Sequence, residues 1–151
     1  MGIGLNNIVN LDHREKMASL EEAVLSSPDN IDINKLECHH YFSHGLYTRE
    51  LHIPAGVVIT GKIHRHSNVN ILSKGKVVAV TDKGRVELEA PHTLVSGELT
   101  KKAIYAIEDA VWINCLPWDK EPSVDLVEEE YIVPTYETIE GKVVDKFLEN
   151  T

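Results

Sequence analysis

The stretch between about residues 36 and 117 is a succession of short apolar segments separated by turn residues, and this pattern limits the fold most strongly. Gly45 to Ile53 has the alternating pattern of a strand, in which successive side chains fall on opposite faces. One face carries Leu46, Thr48, Glu50 and His52, and the other carries Tyr47, Arg49, Leu51 and Ile53. Thr81–Gly84 and Glu108–Asp109 are typical of turns between strands. About eight or nine short strands at this spacing predict an all-β sandwich or barrel.

The segments on either side of this stretch have a different composition. Ser19–Glu22 matches a capping box and predicts a short helix. Residues 119–141 carry eight acids against Lys120 alone, which indicates a solvated acidic face. Val143, Val144, Phe147 and Leu148 fit one helical face. We therefore expect one structural domain with three zones: a helical arm over 1–35, a β core over 36–117 and an acidic extension over 118–151.

Charge and hydropathy exclude several classes of partner. The 151 residues carry a formal net charge of -9, which disfavours binding to a phosphate backbone and predicts no nucleic-acid partner. No apolar run approaches the ~20 residues that cross a bilayer, and the N-terminus lacks the pattern of a signal peptide. Cys38 and Cys115 are expected to be free thiols in a reducing compartment. These features predict a cytoplasmic protein that is neither secreted nor membrane-bound.

Two histidines in the centre of the chain give the first functional hypothesis. His64 and His66 are two residues apart in a β-rich segment, so a strand there would point both imidazoles into one cavity. Two imidazoles on one face favour a divalent transition metal such as Fe, Mn, Ni or Zn, if other strands add ligands. The alternative is a pair of inward histidines that are hydrogen-bonded to Asn68 or Asn70.

The same segment resembles the first sequence motif of the cupin superfamily. Gly56, His64, His66, Asn70 and Gly75 occupy that pattern, with Asn70 standing where the family has a glutamate. The second motif is poorly matched over Ser96–Lys102, and Lys102 falls at the position of the third metal-binding histidine. The resemblance implies a single cupin-type jelly-roll barrel with a short N-terminal helix and a helical or extended C-terminal tail.

A narrower resemblance is to small cupin-like proteins of bacteriophages and bacteria. It is carried by the phrases Phe42–Glu50, Ile71–Gly75 and Glu108–Trp112. It implies a phage-associated protein, which would be located in the virion if phage-encoded.

The departures from the cupin pattern weaken the expected metal site. An active cupin usually holds its metal with three histidines and one glutamate, whereas this chain offers two histidines, the neutral Asn70 and the cationic Lys102. A protonated lysine would repel a metal ion and lower the pKa of nearby imidazoles. The resemblance therefore implies an incomplete site at His64 and His66, with Asn70 or His92 as the third ligand.

Further side chains are candidates for the cavity or for a second site. We expect the cavity to contain Glu50, His64, His66, Asn70, Lys102 and Tyr105, with Glu50 as the candidate general base. The alternatives are a surface pair for Glu50 and Lys102, and a packed core position for Tyr105. His39, His40 and His44 indicate an edge or interface cluster, with a second metal site as the alternative.

Three functions stay open from the sequence. The first is a non-catalytic binding or assembly module with an incomplete metal site. The module is expected to bind further copies of itself in a homo-oligomer, most simply a dimer. Virion proteins or basic proteins are its other expected partners. The second is a metal-dependent dioxygenase or isomerase that acts on a small polar molecule. The third is a metal-free protein that binds a sugar or another small ligand. The sequence does not decide whether the protein is an enzyme.

Overall fold

A computed structural model describes residues 33–81 and 84–133. The predicted N-terminal helix and the apolar tail face at Val143–Leu148 lie outside these described residues, as do residues 82 and 83 in the predicted turn.

The described residues form eleven strands, one α-helix and a single 3-10 turn. The 3-10 turn spans Ile33–Lys35. The strands are β1 (Cys38–Ser43), β2 (Leu46–Ile53), β3 (Val58–Thr60), β4 (Ile63–His64), β5 (Asn68–Lys74), β6 (Lys76–Thr81), β7 (Gly84–Glu89), β8 (His92–Ser96), β9 (Ala103–Ala106), β10 (Ala110–Pro117) and β11 (Ile132–Val133). The helix α1 spans Val124–Tyr131.

Two antiparallel sheets dominate the fold and bury their apolar faces on a shared core. The five-stranded sheet has the order β1-β2-β10-β5-β8, and the four-stranded sheet has the order β3-β9-β6-β7. A separate two-stranded sheet joins β11 to β4. The predicted all-β jelly-roll class is confirmed, with one correction. The sheets are not closed into a barrel, because the strand pairing of the described residues stops at the edges of each sheet.

Alternation along the strands explains which side chains form the core. In β2, Tyr47, Leu51 and Ile53 are buried, whereas the residues between them are partly accessible. Trp112 of β10 lies opposite Leu51 in the strand register, and its side chain is buried in the same apolar cluster. Strands with a period of two therefore direct one face of the five-stranded sheet inward.

The predicted turns lie where the sequence places them. Thr81 pairs with Gly84 at the end of the β6–β7 hairpin, and Gly84 has a φ of 116°, which suits glycine. Glu108 and Asp109 separate β9 from β10. Short turn signals are thus sufficient to place these two connections.

The helix α1 was not predicted, although its start has a recognisable signal. Ser123 is the N-cap, and its hydroxyl accepts a hydrogen bond from the Leu126 amide. Val127 and Tyr131 are buried in a cluster that includes Trp118. The described part of the predicted acidic extension thus packs on the β core. Among the described residues, no helix is long and apolar enough to cross a membrane.

Candidate functional site

A cavity lies between the inner face of the five-stranded sheet and the segments around β4, β9 and α1. The volume open to the centres of water molecules is about 60 Å³. One water requires about 10–15 Å³ by this measure, so the cavity has room for several waters or a small chemical group. Its polar lining consists of Tyr47, Arg49, Lys62, His64, Asn70, Lys102, Asn114, Glu128 and Tyr131.

The sheet contributes a row of polar side chains to this cavity. Asn114 of β10 lies opposite Arg49 of β2 on one side and opposite Asn70 of β5 on the other. Residues in such a cross-strand row share one face of the sheet. All three residues line the cavity, so the row forms a polar floor in an otherwise apolar core.

Asn70 is the centre of a saturated hydrogen-bond network. Its side chain is fully buried, and its amide nitrogen donates to Ser96 Oγ at 2.7 Å and to Asn68 Oδ1 at 2.9 Å. Its Oδ1 accepts from Trp112 Nε1 at 2.9 Å and from Asn114 Nδ2. Because an indole N–H can only donate, the atom that faces it must be the carbonyl oxygen. Both lone pairs of Asn70 Oδ1 are therefore occupied.

Two cations of the cavity lack a carboxylate partner among the residues that the structure describes. Lys62 Nζ pairs with Glu128 Oε1 at 2.7 Å. Across residues 33–81 and 84–133, neither Arg49 nor Lys102 has a carboxylate within ion-pair distance. Burial lowers the pKa of Lys102 from 10.5 to about 8, and no acid of the described ranges opposes this shift. At pH 7 the cavity thus carries an excess of positive charge within an acidic protein.

His64 faces these cations and is neutral near physiological pH. Burial lowers the pKa of His64 from 6.5 to about 4, and the charges of Lys102 and Arg49 contribute to this shift. A neutral imidazole can both donate and accept one hydrogen bond. Because one ring N–H bonds the Lys62 backbone, the other nitrogen of His64 can accept a hydrogen bond in the cavity without adding to the positive charge.

His66 does not share the cavity with His64. Strand β4 ends at His64, so the two-residue alternation that would align the two rings does not continue. His66 is exposed, and its ring stands edge-on to the Tyr131 ring at a centroid distance of 5.7 Å. The expectation of two imidazoles in one cavity is corrected by this local end of the strand.

Glu50 and Tyr105 are also outside the cavity lining. Glu50 lies on the outer face of β2, because the neighbouring Arg49 and Leu51 point inward, and its Oε1 is 2.8 Å from His52 Nε2. Tyr105 of β9 is 42% exposed, because Ile104 next to it is buried and takes the inner position. Glu50 is therefore not placed to act as a base in the cavity.

His92, the alternative third ligand, also lies away from His64. It is exposed at the start of β8 and lines a neighbouring depression together with Leu94 and Lys102. Lys102 and Trp112 line both that depression and the cavity that His64 lines, but neither space is lined by both histidines. The structure therefore does not bring His92 and His64 together as ligands of one ion.

The histidines near the first strand fall in different environments. His40 is exposed on the same face of β1 as Cys38 and Phe42, and its Nδ1 is 2.6 Å from the Tyr47 hydroxyl. His44 is exposed in the turn between β1 and β2. His39 is on the outer face, because side chains alternate along the strand. These residues therefore do not form the local cluster that their spacing suggests.

The donor set of the cavity does not fit a transition metal. Among the described residues of the lining, His64 is the single imidazole, and the Asn70 oxygen has no free lone pair. The carboxylate of Glu128 is held by Lys62, and Lys102 would repel a cation. A group of three His, Cys, Asp or Glu side chains with converging atoms occurs in the described ranges only at Glu37, His39 and His52, on the outer surface.

Arg49 and Asn114 are the most important cavity residues that the sequence analysis missed. The alternation of β2 placed Arg49 on the same face as Tyr47, Leu51 and Ile53, which is the more apolar face of that strand. An arginine on the apolar face of a strand indicates an internal charge, and this position could have identified Arg49 as a cavity residue. Asn114 gives a weaker signal, since it lies on the same face of β10 as the apolar Trp112 and Leu116.

These features define the class of protein: a two-sheet jelly roll with an electropositive polar cavity. The fold is similar to that of solved structures. Ectoine synthase from P. lautus is similar with a TM-score of 0.53 and 13% identity over 76% of this chain and 86% of that one. A cupin superfamily protein from Desulfitobacterium hafniense DCB-2 matches with a TM-score of 0.48 and 12% identity, over 59% of this chain and 83% of that one.

Salicylate 1,2-dioxygenase from Pseudoaminobacter salicylatoxidans also matches, with a TM-score of 0.47 and 14% identity over 52% of this chain. This chain covers only 24% of that dioxygenase. No protein-family model and no curated protein sequence matches the chain. At these identities the likeness establishes the fold alone.

Proposed function

We propose that this protein is a cupin-fold binding module that takes up the acidic group of a small molecule in its cavity, without a metal. The observation that carries this proposal is the pair of cations, Arg49 and Lys102, which line one cavity without a carboxylate partner among the described residues. A buried cation is costly unless it is paired, and an anionic ligand would supply the missing charge.

Each side chain has a distinct task in this arrangement. The guanidinium of Arg49 has the planar shape that binds a carboxylate or phosphate with two hydrogen bonds. Lys102 supplies a point charge from the residue just before β9, and neutral His64 can accept one hydrogen bond from a hydroxyl of the ligand. The Asn70 network holds Asn114 next to Arg49 and so fixes the polar floor. Burial of these groups strengthens their attraction for an anion.

The test measures the binding of inorganic phosphate and of a panel of mono- and dicarboxylates. Binding is detected by calorimetry and by thermal unfolding. We expect a subset of these anions to raise the melting temperature. Arg49→Met should weaken that binding at least about tenfold, because it removes at least one charge-assisted hydrogen bond to the anion. Arg85→Met is the matched control, because Arg85 is an exposed arginine on β7, and this variant should bind as the wild type does.

Lys102→Met distinguishes a binding residue from a structural one. Methionine has a similar length, and it removes the cost of burying an ammonium group whose pKa is about 8. We expect this variant to lose anion binding and to be as stable as the wild type, or up to about 3 kcal/mol more stable. Anion binding that survives both Arg49→Met and Lys102→Met, or no binding of any anion tested, would refute the proposal.

The partners and the location predicted from the sequence belong to this proposal as well. A homo-oligomer, a basic protein partner and association with a phage particle stay predictions. The assembly role and the binding role are compatible, since a bound anion would stabilise the folded module.

A further inference from the structure

A second group of polar side chains lies on the outer face of the five-stranded sheet, away from the cavity. Glu37 precedes β1, His39 lies on β1, and His52 and Glu50 lie on β2. His39 pairs with Glu50 in the strand register, and the His52 amide donates to the Glu37 carbonyl at 2.9 Å. The pairing of two adjacent strands thus brings these four side chains together.

The three possible ligand atoms converge on one point. Glu37 Oε2 is 3.2 Å from His52 Nδ1 and 3.7 Å from His39 Nε2, and all three ligand atoms lie within 4.8 Å of one another. Bonds of about 2.0–2.2 Å to a tetrahedral Zn²⁺ place two ligand atoms about 3.3 Å apart. The observed separations therefore need only small side-chain rotations, which the accessible surface position allows.

His52 gives an independent reason to expect a cation at this point. Its Nε2 is 2.8 Å from Glu50 Oε1, and its Nδ1 is 3.2 Å from Glu37 Oε2. A neutral imidazole has a single N–H, so it can donate to only one of these two carboxylates. In the tautomer whose proton lies on Nε2, that proton faces Glu50 and the Nδ1 lone pair faces Glu37 Oε2, an arrangement that a shared metal ion would complete.

We propose that Glu37, His39 and His52 form a surface site for Zn²⁺ or a similar borderline divalent transition ion. Two imidazole nitrogens and one carboxylate favour such an ion over Mg²⁺ or Ca²⁺, which prefer oxygen ligands. Glu50 accepts the Nε2 proton of His52 and so directs the Nδ1 lone pair toward the ion. Three protein ligands leave a fourth position, which water fills.

The position of the site gives it a structural role. Strand β1 is at the edge of its sheet and has β2 as its neighbour. An ion bound by Glu37 and His39 on one side and His52 on the other would clamp the edge strand to the sheet. Zn²⁺ should accordingly raise the melting temperature, because it binds the folded state.

The experiment uses the full chain without a polyhistidine tag, stripped with a chelator and then dialysed. We expect uptake of one Zn²⁺ per chain, and of one Co²⁺ with the visible absorption of a tetrahedral complex. His39→Ala and His52→Ala should each abolish stoichiometric uptake. Glu50→Gln should keep the stoichiometry and weaken the affinity about 10–100-fold, since it alters only the orientation of His52.

His66→Ala is the matched control, because His66 is an exposed histidine outside the group. It should bind Zn²⁺ as the wild type does. Circular dichroism of each variant confirms folding, and His39→Gln provides a second variant if His39→Ala unfolds. Absence of stoichiometric uptake, uptake that survives His39→Ala and His52→Ala, or uptake lost in His66→Ala would each overturn the site. None of these results bears on anion binding in the cavity.

Discussion

At the scale of single residues, the cavity combines groups whose ionisation is set by burial. Lys102 has its pKa lowered to about 8, and His64 has its pKa lowered to about 4. Both shifts have the same main cause, which is the loss of hydration of the charged form. The result is a neutral imidazole next to a lysine that still carries most of its charge at pH 7.

His64 should make the stability of the protein depend on pH in a defined window. Its pKa is about 4 in the folded state and about 6.5 when unfolded, so the unfolded chain binds the proton more readily in between. The contribution to stability is complete above pH 6.5 and is lost as the pH falls toward 4. The loss amounts to up to about 3 kcal/mol.

Urea unfolding between about pH 7.5 and pH 4 measures this effect. His64→Gln should flatten the decrease in the free energy of unfolding by that amount. His66→Gln should retain the wild-type decrease, because His66 is exposed. Equal pH profiles for the two variants would contradict the assignment to His64.

At the scale of the elements, the connection between β5 and β6 is more constrained than its sequence indicates. Gly75 has a φ of +87°, and a Cβ there would collide with the Asp109 carbonyl oxygen and lie 2.8 Å from Ala110 Cα. The close approach brings the β5–β6 hairpin against the start of β10. The position needs glycine both for its backbone conformation and for space.

Gly75→Ala should therefore destabilise the protein more than an alanine at an open glycine does. Gly56 is the matched control, since it has a φ of +85° and a Cβ there would have no described atom within 4 Å. Gly56→Ala should lose about 1–2 kcal/mol, the cost of the left-handed conformation. Gly75→Ala should lose about 1–3 kcal/mol more, from overpacking. Equal losses in urea unfolding would show that the clash is relieved.

The strands and the helix differ in how well local sequence predicts them. The alternation of Tyr47, Leu51 and Ile53 is a property of one segment, so it predicts the inner face of β2 directly. The helix α1 is short, and its burial of Val127 and Tyr131 depends on contacts with distant strands. Its N-cap is a local signal, but one too common to identify a helix by itself.

At the scale of the whole molecule, the outer face of the five-stranded sheet carries a continuous row with large exposed apolar side chains. The register aligns the row in the order Tyr41, Thr48, Cys115, Val69 and Val95. Tyr41 is 52% exposed and Val95 is 70% exposed. Such a row on a sheet face is a suitable surface for the second copy that the sequence predicts.

The predicted homodimer can be tested at this row. Size-exclusion chromatography with light scattering should give a mass about twice the 16.9 kDa of the chain. Val95→Asp should shift the protein to the monomer, because it places a charge in the contact. Val86→Asp is the control, since Val86 is 50% exposed on the other sheet. A stable wild-type monomer at micromolar concentration would refute the dimer.

The sequence by itself determined the inner face of β2, two of the turns and the all-β class, because a period of two and short turn signals are local properties of the chain, while the jelly-roll arrangement was implied by the resemblance to cupins. Only the tertiary structure decided that β4 ends at His64, which leaves His66 outside the cavity. It also brought Arg49 of β2 and Lys102, which lies just before β9, to one cavity. Sites of this kind depend on strand register and on contacts between residues far apart in the chain, which alternation within a single strand does not specify.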